Sequence, residues 1–388
     1  MPRRLTDPWM LGSLEVPNRV LLAPLAGIGN WFVRLQAKRY GAGMAVSEMV
    51  SSHAIYHRNE RTCNEMLRIH PDERTVGVAG AGRRGHQGLQ GGVRSKGSAS
   101  EIERTAAPAG IVSIQLFGED PNVMRAAAAR VREAGADAID INMGCPVPKV
   151  QKTGAGAALL SDPDLAVALA RAAGEGGEGL PVTVKLRSGR RPGETDGFAL
   201  AHRLVDEAGV AAIGFHPRSA AVHHKGVPDY ALAARLAASL NAPMILTGGL
   251  NEPDQIERAF HETGATAVML ARGALGNPWL FAQLLRPPPE DPDPSKADMR
   301  SEGPSKEEVL SERNWTIDRA VEHLGEQRAT RYLRKFYPWY IQRLELDRQT
   351  EKELQADLQA AETLSEARNR LAILLRPRRL AGFSAVST

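Results

Sequence analysis

The stretch Ala138-Ile-Asp-Ile-Asn-Met-Gly-Cys-Pro146 predicts a strand of the core at its beginning and a functional site at its end. Its first residues are mainly apolar and predict a buried strand, whereas small and polar residues follow from Asn142 onwards. Cys145 is one of two cysteines in the chain, and the glycines beside it and in Gly154-Ala-Gly156 leave backbone amides accessible to a planar ligand or a phosphate. We therefore place the chemistry of this protein at the end of this strand.

Similar strands recur along the chain. Short aliphatic or β-branched runs alternate with longer segments of helical period, which is typical of βα units around a parallel sheet. The predicted strands cover residues 20–23, 44–46, 111–116, 138–141, 182–186, 211–215, 244–246 and 267–270. Eight such units favour a closed (β/α)8 TIM barrel, because an open doubly wound sheet usually has fewer strands.

Start and stop signals support the helices between these strands. An acidic residue followed by proline marks three helix starts, at Asp120-Pro121, Asp162-Pro163 and Glu252-Pro253. Glycines that suit a left-handed C-terminal cap mark three helix ends, at Gly135, Gly209 and Gly264. The strand and helix signals thus agree on one alternating architecture.

Polar residues follow most of the predicted strands. In a TIM barrel the carboxyl ends of all strands meet at one mouth, where the active sites of this fold lie. Gly248-Gly249 and Arg272-Gly273 follow the seventh and eighth strands, where such barrels often bind a phosphate through backbone N–H groups and a cation. The sequence contains neither a glycine-rich dinucleotide fingerprint nor a Walker loop. We therefore expect a flavin with a phosphate tail as the ligand.

The composition of the chain argues against a disulfide-rich, secreted or membrane-spanning protein. The chain has 388 residues and two cysteines, a formal net charge of +4 and a sequence pI near 9.1. So few cysteines exclude a disulfide framework, and the sequence has neither a secretory signal nor an apolar stretch of about 20 residues. His223 and His224 lack a cysteine or carboxylate that would complete a ligand set, so we expect no metal. We expect a cytoplasmic monomer whose mild basicity permits a polyanionic partner without requiring one.

A set of short segments in the predicted barrel is shared with a known family. The segments are Leu22-Ala-Pro-Leu-Ala-Gly27, Val46-Ser-Glu-Met-Val50, Ser113-Ile-Gln-Leu-Phe-Gly-Glu-Asp-Pro121, Asp140-Ile-Asn-Met-Gly-Cys-Pro146, Gly154-Ala-Gly156, Val182-Thr-Val-Lys-Leu-Arg187, Gly214-Phe-His-Pro-Arg218 and Arg272-Gly-Ala-Leu-Gly-Asn-Pro278. In this order they resemble the bacterial, FMN-dependent tRNA-dihydrouridine synthases. The resemblance implies an FMN-bound barrel and a helical domain that binds tRNA. It also implies reduction of the 5,6 double bond of particular tRNA uridines with electrons from NADPH or NADH.

The resemblance assigns Cys145 the role of general acid, and the chemistry agrees. In such a reduction hydride reaches uracil C6, and the charge that develops at C5 needs a proton from the other side. A cysteine thiol has an ordinary pKa of about 8.5, so it is mostly protonated at neutral pH. The alternative role of a cysteine at a strand end is that of a small buried hydrophobic residue.

The resemblance also implies ligand contacts around the mouth. It matches Gln115 and His216 with the flavin, Asn142 with the pyrimidine or flavin edge, and Arg218 with substrate or phosphate. Lys185 would place its positive charge beside the flavin or the uracil carbonyl. The alternatives are ordinary rim hydrogen bonds for Gln115 and His216 and a turn for Asn142. The remaining expected cofactor contacts are Pro24, Leu25, Ala26, Gly248, Gly249, Arg272 and Gly273.

Two segments stand apart from the strand and helix pattern. Residues at about 76–110 are rich in glycine and arginine with few apolar side chains, and predict a low-complexity insertion, with a contact to RNA as the alternative. Residues 286–305 are rich in proline and charge and predict a stiff linker. We therefore predict a catalytic barrel domain over residues 1–285 and a helical, tRNA-binding domain over residues 306–388.

The predicted helical domain contains a basic and aromatic segment. Apolar residues at spacings of three and four from about residue 307 to about residue 375 predict a small bundle. Arg331 and Lys335 lie among Tyr332, Trp339 and Tyr340, and cations beside aromatic rings suit phosphate contact and base stacking. The resemblance implies that Arg331 and Lys335 bind tRNA. In the alternative, the aromatic rings form the core of the bundle and the cations a solvated face.

Two other functions fit part of the sequence. A small-molecule FMN reductase would share the barrel and the phosphate site, but it would not need a separate basic helical domain. An RNA-binding barrel without catalytic activity would not need Cys145, Lys185 and both phosphate-binding segments together.

Overall fold

The computed structural model describes residues 3–75, 110–286 and 303–372. The predicted insertion and the predicted linker fall, apart from their outermost residues, outside the described residues. The chain divides into two compact units. One comprises Met1–Ala274 and Pro278–Asp291, and the other comprises Leu275–Asn277 and Pro292–Thr388.

Parallel strands close into a barrel in the first unit. The strands of the described chain are β1 (Trp9–Leu11), β2 (Leu14–Val16), β3 (Val20–Leu22), β4 (Met44–Ser51), β5 (Ile111–Phe117), β6 (Ala138–Met143), β7 (Val182–Arg187), β8 (Ala212–His216), β9 (Met244–Thr247) and β10 (Ala267–Leu270). The barrel order is β10-β3-β4-β5-β6-β7-β8-β9, and each neighbouring pair is parallel. The predicted TIM barrel is therefore confirmed, with every predicted strand in it.

The sequence pattern missed the antiparallel hairpin of β1 and β2, because each strand has only three residues. Trp9, Leu11 and Val16 from this hairpin are buried in one apolar cluster with barrel residues, most of which are the first or second of their strands. The barrel residues of this cluster are Leu21, Ala23, Met44, Val46, Ile111, Ala138, Ala212, Ile245, Ala267 and Met269. The hairpin therefore packs against the end of the barrel interior that lies away from the mouth.

Helices follow the barrel strands as predicted. Those of the first unit are α1 (Trp31–Arg39), α2 (Ser52–Tyr56), α3 (Asp72–Thr75), α4 (Pro121–Glu133), α5 (Pro148–Gln151), α6 (Pro163–Gly177), α7 (Asp196–Ala208), α8 (Tyr230–Ser239), α9 (Pro253–Thr263) and α10 (Trp279–Leu284). The carboxylates of Asp120 and Asp162 cap α4 and α6, whereas Glu252 makes no side-chain cap on α9. Gly209 and Gly264 end α7 and α9 in the left-handed conformation, as predicted.

The described part of the second unit is helical throughout. Its helices are α11 (Lys306–Leu324), α12 (Glu326–Leu333), α13 (Tyr337–Ile341), α14 (Arg348–Ala360) and α15 (Leu364–Ala372). Tyr337 and Tyr340 are 2% and 3% exposed, and the Tyr340 hydroxyl lies 2.8 Å from Thr316 Oγ1. The expectation that Tyr340 could stack on a base is therefore wrong, because its ring belongs to the core of the bundle. No helix in the described ranges is long and apolar enough to span a membrane.

The inner face of β6 changes from apolar to polar along the strand. Side chains alternate across a strand, so Ala138, Asp140 and Asn142 share the inward face. Ala138 lies in the apolar cluster at the far end, whereas Asp140 and Asn142 lie nearer the mouth, buried with 2% and 9% exposed. In the neighbouring strands Asp140 is level with Gln115 and Thr183. The layer of the barrel interior that lies nearer the mouth is therefore polar.

Candidate active site

The backbone on both sides of Cys145 is held by hydrogen bonds. Asn142 Oδ1 accepts the backbone N–H groups of Cys145 at 2.9 Å and Gly144 at 3.2 Å. Arg187 Nε donates to the carbonyl oxygen of Gly144 at 2.9 Å, so both ends of the peptide bond between residues 144 and 145 are fixed. The carbonyl oxygen of Cys145 accepts from Ala157 N at 3.1 Å. The half-buried cysteine therefore has a well-defined backbone position at the mouth of the barrel.

The glycine motif after β6 supports this arrangement. Gly156 has φ +65°, and a Cβ there would lie 2.9 Å from the carbonyl oxygen of Cys145 and 3.2 Å from its Cβ. A larger residue at this position would displace the cysteine. Gly156 therefore packs closely against Cys145, whereas a Cβ on Gly154 would lie 3.4 Å from Glu119 Cβ.

A chain of side-chain hydrogen bonds lies beneath the cysteine. Thr183 Oγ1 donates to Asp140 Oδ1 at 2.5 Å, and Gln115 Nε2 donates to Asp140 Oδ2 at 2.5 Å. Asn142 Nδ2 in turn donates to Gln115 Oε1 at 2.9 Å. Burial raises the pKa of Asp140 to about 6, against the effect of the bonds from Thr183 and Gln115 and of the charge on Lys185.

Lys185 and Arg187 bring positive charge to the same end of β7. Burial, and then the charge on Arg187, lower the pKa of the half-buried Lys185 to about 8. Burial likewise lowers the pKa of Arg187 to about 10. Besides Gly144, Arg187 donates through Nη1 to the carbonyl oxygens of Ser219 at 3.1 Å and His223 at 2.7 Å. Arg187 thus ties the Cys145 loop to the loop after β8.

His216, at the end of β8, is kept neutral. Burial is the largest cause that lowers its pKa, and the charges on Lys185, Arg187 and Arg218 act in the same direction. Arg218 Nη1 lies 3.2 Å from His216 Nε2, so this nitrogen is the acceptor and the proton of the neutral ring belongs on Nδ1. Arg218 is itself fixed by two bonds to the carbonyl oxygen of Gly226, of 3.2 Å from Nε and 2.7 Å from Nη2.

The segments after β9 and β10 are built with close backbone contacts. Gly248 and Gly249 have φ of +97° and +78°. A Cβ on Gly249 would lie 2.7 Å from Pro228 Cγ, and one on Gly273 would lie 2.6 Å from the carbonyl oxygen of Leu250. These positions therefore exclude larger residues.

The segment after β3 forms another part of the mouth. Pro24 is half-buried, Leu25 is buried and Ala26 is exposed. The chain turns tightly here, since the carbonyl oxygen of Leu25 accepts from Gly29 N at 2.7 Å. Glu48, in the second half of β4, accepts from Gly27 N at 2.9 Å.

The electrostatics of the mouth fit an anionic ligand such as a flavin phosphate. Burial, helped by the charge on the exposed Arg272, lowers the pKa of Arg218. Burial, helped by the charges on Arg272, Arg187 and Arg218, lowers the pKa of His224 to about 4. Cations that repel one another across a partly buried site can be stabilised by an anion between them. Within the described residues, no group of three His, Cys, Asp or Glu side chains is placed to hold a metal ion.

The two predicted tRNA-binding residues lie in the second unit. Arg331 is exposed on α12, and Lys335 is exposed just beyond the end of this helix. Lys335 Nζ lies 4.9 Å from the centre of the Tyr332 ring. Tyr332 in turn lies beside the buried Phe336, with ring centres 5.3 Å apart.

The predicted barrel residues thus all lie towards or beyond the carboxyl ends of the strands of one barrel. The structure adds three further residues to this group. Cys145, Asn142 and Gln115 are joined through one network of hydrogen bonds. Sequence reasoning assigned no role to Asp140, Arg187 or Thr183, although all three lie in quoted motifs and two of them, Asp140 and Arg187, are charged. A charged residue within a buried strand is the signal that could have identified both.

The chain is similar to known proteins over most of its length. The profile of the dihydrouridine synthase (Dus) family matches residues 21–82 and 93–375. The tRNA-dihydrouridine synthase B of Shewanella oneidensis is 28% identical over 92% of this chain and 95% of its own length. A probable tRNA-dihydrouridine synthase of Rhodobacter capsulatus is 35% identical over 71% of this chain and 73% of its own length. Among solved structures, morphinone reductase in complex with tetrahydroNAD covers 75% of this chain and 93% of its own, with a TM-score of 0.45 and 17% identity.

The closed barrel and its cationic mouth with a fixed cysteine define the class of this protein, a TIM-barrel enzyme. The family profile covers most of the chain, and relatives above 30% identity cover more than two thirds of it. The chain belongs to the dihydrouridine synthase family.

Proposed function

We propose that this protein is a tRNA-dihydrouridine synthase that uses FMN and takes electrons from NADPH or NADH. Its substrate would be particular uridines of tRNA in the cytoplasm. The names of its relatives support the activity. The observation in this chain that carries the proposal is the position of Cys145, whose backbone is fixed by Asn142, Ala157 and Arg187 at a cationic barrel mouth.

The mouth has the groups that a flavin mononucleotide requires. Gly248, Gly249, Arg272 and Gly273 would hold the phosphate, and the segment Pro24, Leu25 and Ala26 would contact the flavin through its backbone. Gln115 has one N–H and one lone pair left for the flavin after its bonds to Asp140 and Asn142. The neutral His216 and the cationic Lys185 would complete the contacts. When bound, the flavin would pass a hydride from the reduced nicotinamide to C6 of the uracil.

Cys145 would supply the proton in this reaction. The thiol would donate to C5 of the uracil, where negative charge develops once C6 has accepted a hydride. Lys185 would stabilise the negative charge on the carbonyl oxygens of the ring. Asn142, whose second N–H makes only a weak bond of 3.8 Å to Met49 Sδ, would orient the pyrimidine edge together with Arg218. The uridine must leave its stack to reach these groups, at a cost of a few kcal/mol.

We further propose a division of labour along the chain. Residues 1–285 would carry the reaction, and residues 306–388 would bind tRNA. The exposed positions of Arg331 and Lys335 support this assignment, since cations on the surface can contact RNA phosphates. The buried position of Tyr340 limits base stacking to rings with some exposure, such as Tyr332 and Trp339.

The test is anaerobic spectroscopy of the purified protein. We expect flavin absorption bands that NADPH bleaches and that unmodified tRNA restores, with dihydrouridine in the recovered tRNA. Bleaching that tRNA cannot reverse would instead indicate a small-molecule FMN reductase. A protein that takes up no flavin on reconstitution but binds tRNA would indicate an RNA-binding barrel without this activity.

A further inference from the structure

Asp140 makes no hydrogen bond to Cys145. It nevertheless lies at the start of the network that holds the cysteine. It is 2% exposed and lies on the inner face of β6, one inward position below Asn142. Its two carboxylate oxygens accept from Thr183 and Gln115, on the two neighbouring strands. Burial of a carboxylate costs free energy unless hydrogen bonds and nearby charges offset its loss of water, and the bonds from Thr183 and Gln115 do so here.

The two ends of the network determine the direction of every bond between them. An ionised carboxylate only accepts hydrogen bonds, so Gln115 must turn its Nε2 towards Asp140 and its Oε1 towards Asn142. At the other end, the backbone N–H groups of Gly144 and Cys145 only donate, so Asn142 must turn its Oδ1 towards them and its Nδ2 towards Gln115. The amide orientations are therefore fixed by chemistry at both ends.

A reversal of one amide would break this arrangement. If Asp140 no longer accepted from Gln115, the Gln115 amide could turn and offer an N–H to Asn142. Asn142 would then either lose its bond to Gln115 or turn its own N–H groups against those of Gly144 and Cys145. The bond from Asn142 Oδ1 to Cys145 N, of 2.9 Å, would be lost in the second case. Arg187 and Ala157 would then hold the loop alone.

We propose that Asp140 is a positioning residue for Cys145. Through the side-chain amides of Gln115 and Asn142, it fixes the backbone that carries the thiol at the barrel mouth. The inference rests on the proposed function only where the thiol is said to protonate a uracil. The effect on the backbone concerns this chain alone and can be measured without any substrate.

The test is site-resolved hydrogen exchange at the amides of Gly144 and Cys145 in the full-length protein as purified. Asp140→Leu keeps the number and branching of the side-chain heavy atoms and replaces both acceptor oxygens by larger methyl groups, and we expect it to speed exchange at both amides by about tenfold. Asp140→Asn can still accept from Gln115 through Oδ1 while its Nδ2 donates to Thr183, so we expect exchange within about threefold of the wild type. Thr183→Val is the matched control, because it removes the other bond to Asp140 and leaves the bond to Gln115.

A second readout separates the two halves of the reaction. In flavin-loaded Asp140→Leu we expect tRNA-dependent reoxidation to slow by about tenfold more than reduction by NADPH does, because the displaced Gln115 amide can affect both steps whereas the displaced thiol affects only the first. Asp140→Asn should restore reoxidation. Failure of the proposed function would appear as no reoxidation by tRNA in the wild type, and the exchange rates would still decide the role of Asp140.

Wild-type exchange at both amides in a folded Asp140→Leu protein would overturn the proposal. If this variant does not fold, Gln115→Met takes its place, since it interrupts the same network and leaves Asp140 bonded to Thr183. Its expected result is the same tenfold faster exchange at Gly144 and Cys145. Unchanged exchange in that variant would equally refute the network.

Discussion

Gly248 lies against the ring of His216 so closely that a Cβ at this position would be 2.3 Å from both Nε2 and Cδ2 of the imidazole. The backbone of Gly248 has φ +97°, and its carbonyl oxygen accepts from the Tyr230 hydroxyl at 3.1 Å. The ends of β8 and β9 are thus joined without space for a side chain. Both residues belong to the proposed flavin site, so this contact links the fold of the mouth to its ligand.

We expect Gly248→Ala to weaken FMN binding by at least about tenfold, because the new methyl group must displace His216 or the segment after β9. The measurement is a titration of flavin-free protein with FMN, followed by fluorescence. Gly264→Ala is the matched control. It also has a left-handed φ, of +63°, but a Cβ there meets no atom within 4 Å. The control should lose about 1 kcal/mol of unfolding free energy and keep its affinity for FMN. Equal affinities in the two variants would contradict the proposed role of this contact.

Cys145→Ala should keep bound flavin and its reduction by NADPH, and should lose tRNA reduction by about 100-fold or more, because general acids contribute rate factors of this order. Single-turnover reoxidation by tRNA, measured in a stopped-flow instrument, separates the two steps. Cys63→Ala is the control, since Cys63 is also half-buried and lies in the short helical turn Thr62–Met66, outside the proposed site. Full tRNA reduction by Cys145→Ala would exclude the thiol as the acid.

Arg331→Ala combined with Lys335→Ala should weaken tRNA binding and lower the slope of log Kd against log salt by about 2, one for each lost phosphate contact. NADPH oxidation in the absence of tRNA should not change. The control removes the same charge at the same spacing from an exposed face of α14, with Arg348→Ala and Lys352→Ala. An identical loss of slope in both double variants would show a general effect of net charge and no specific contact.

Lys185→Met should raise the unfolding free energy of the flavin-free protein at pH 7 by about 2 kcal/mol. Folding lowers the pKa of Lys185 from 10.5 to about 8, mainly through burial. Below pH 8 Lys185 is charged in both states, and burial of this charge destabilises the folded protein relative to the unfolded chain. This cost disappears as the pH rises from about 8 through 10.5, and the two proteins should then converge. Urea unfolding at pH 7, 8, 9 and 10 measures the difference, with Lys185→Arg as the charged control. A constant difference across this range would show that the Lys185 charge does not cause it.

The sequence alone determined the barrel of this protein and the location of its chemistry. Alternating strand and helix periods, proline helix starts and glycine caps are local signals, and they placed every barrel strand within a few residues of its observed bounds. Cys145, Asn142 and Lys185 could be selected because polar residues at the carboxyl ends of parallel strands converge on one mouth. The hairpin of β1 and β2 was not predictable in this way, because strands of three residues show no clear period.

Only the tertiary structure showed how these residues act on one another. Asp140, Gln115 and Thr183 are distant in the sequence, and the register of three neighbouring strands brings them level. The same is true of Arg187, which reaches the Gly144 carbonyl from the next strand, and of Gly248 against His216. Hydrogen bonds and steric contacts depend on distances below about 4 Å. Periodicity in a sequence can assign a residue to a face and a layer, but strand register and close packing decide which atoms meet.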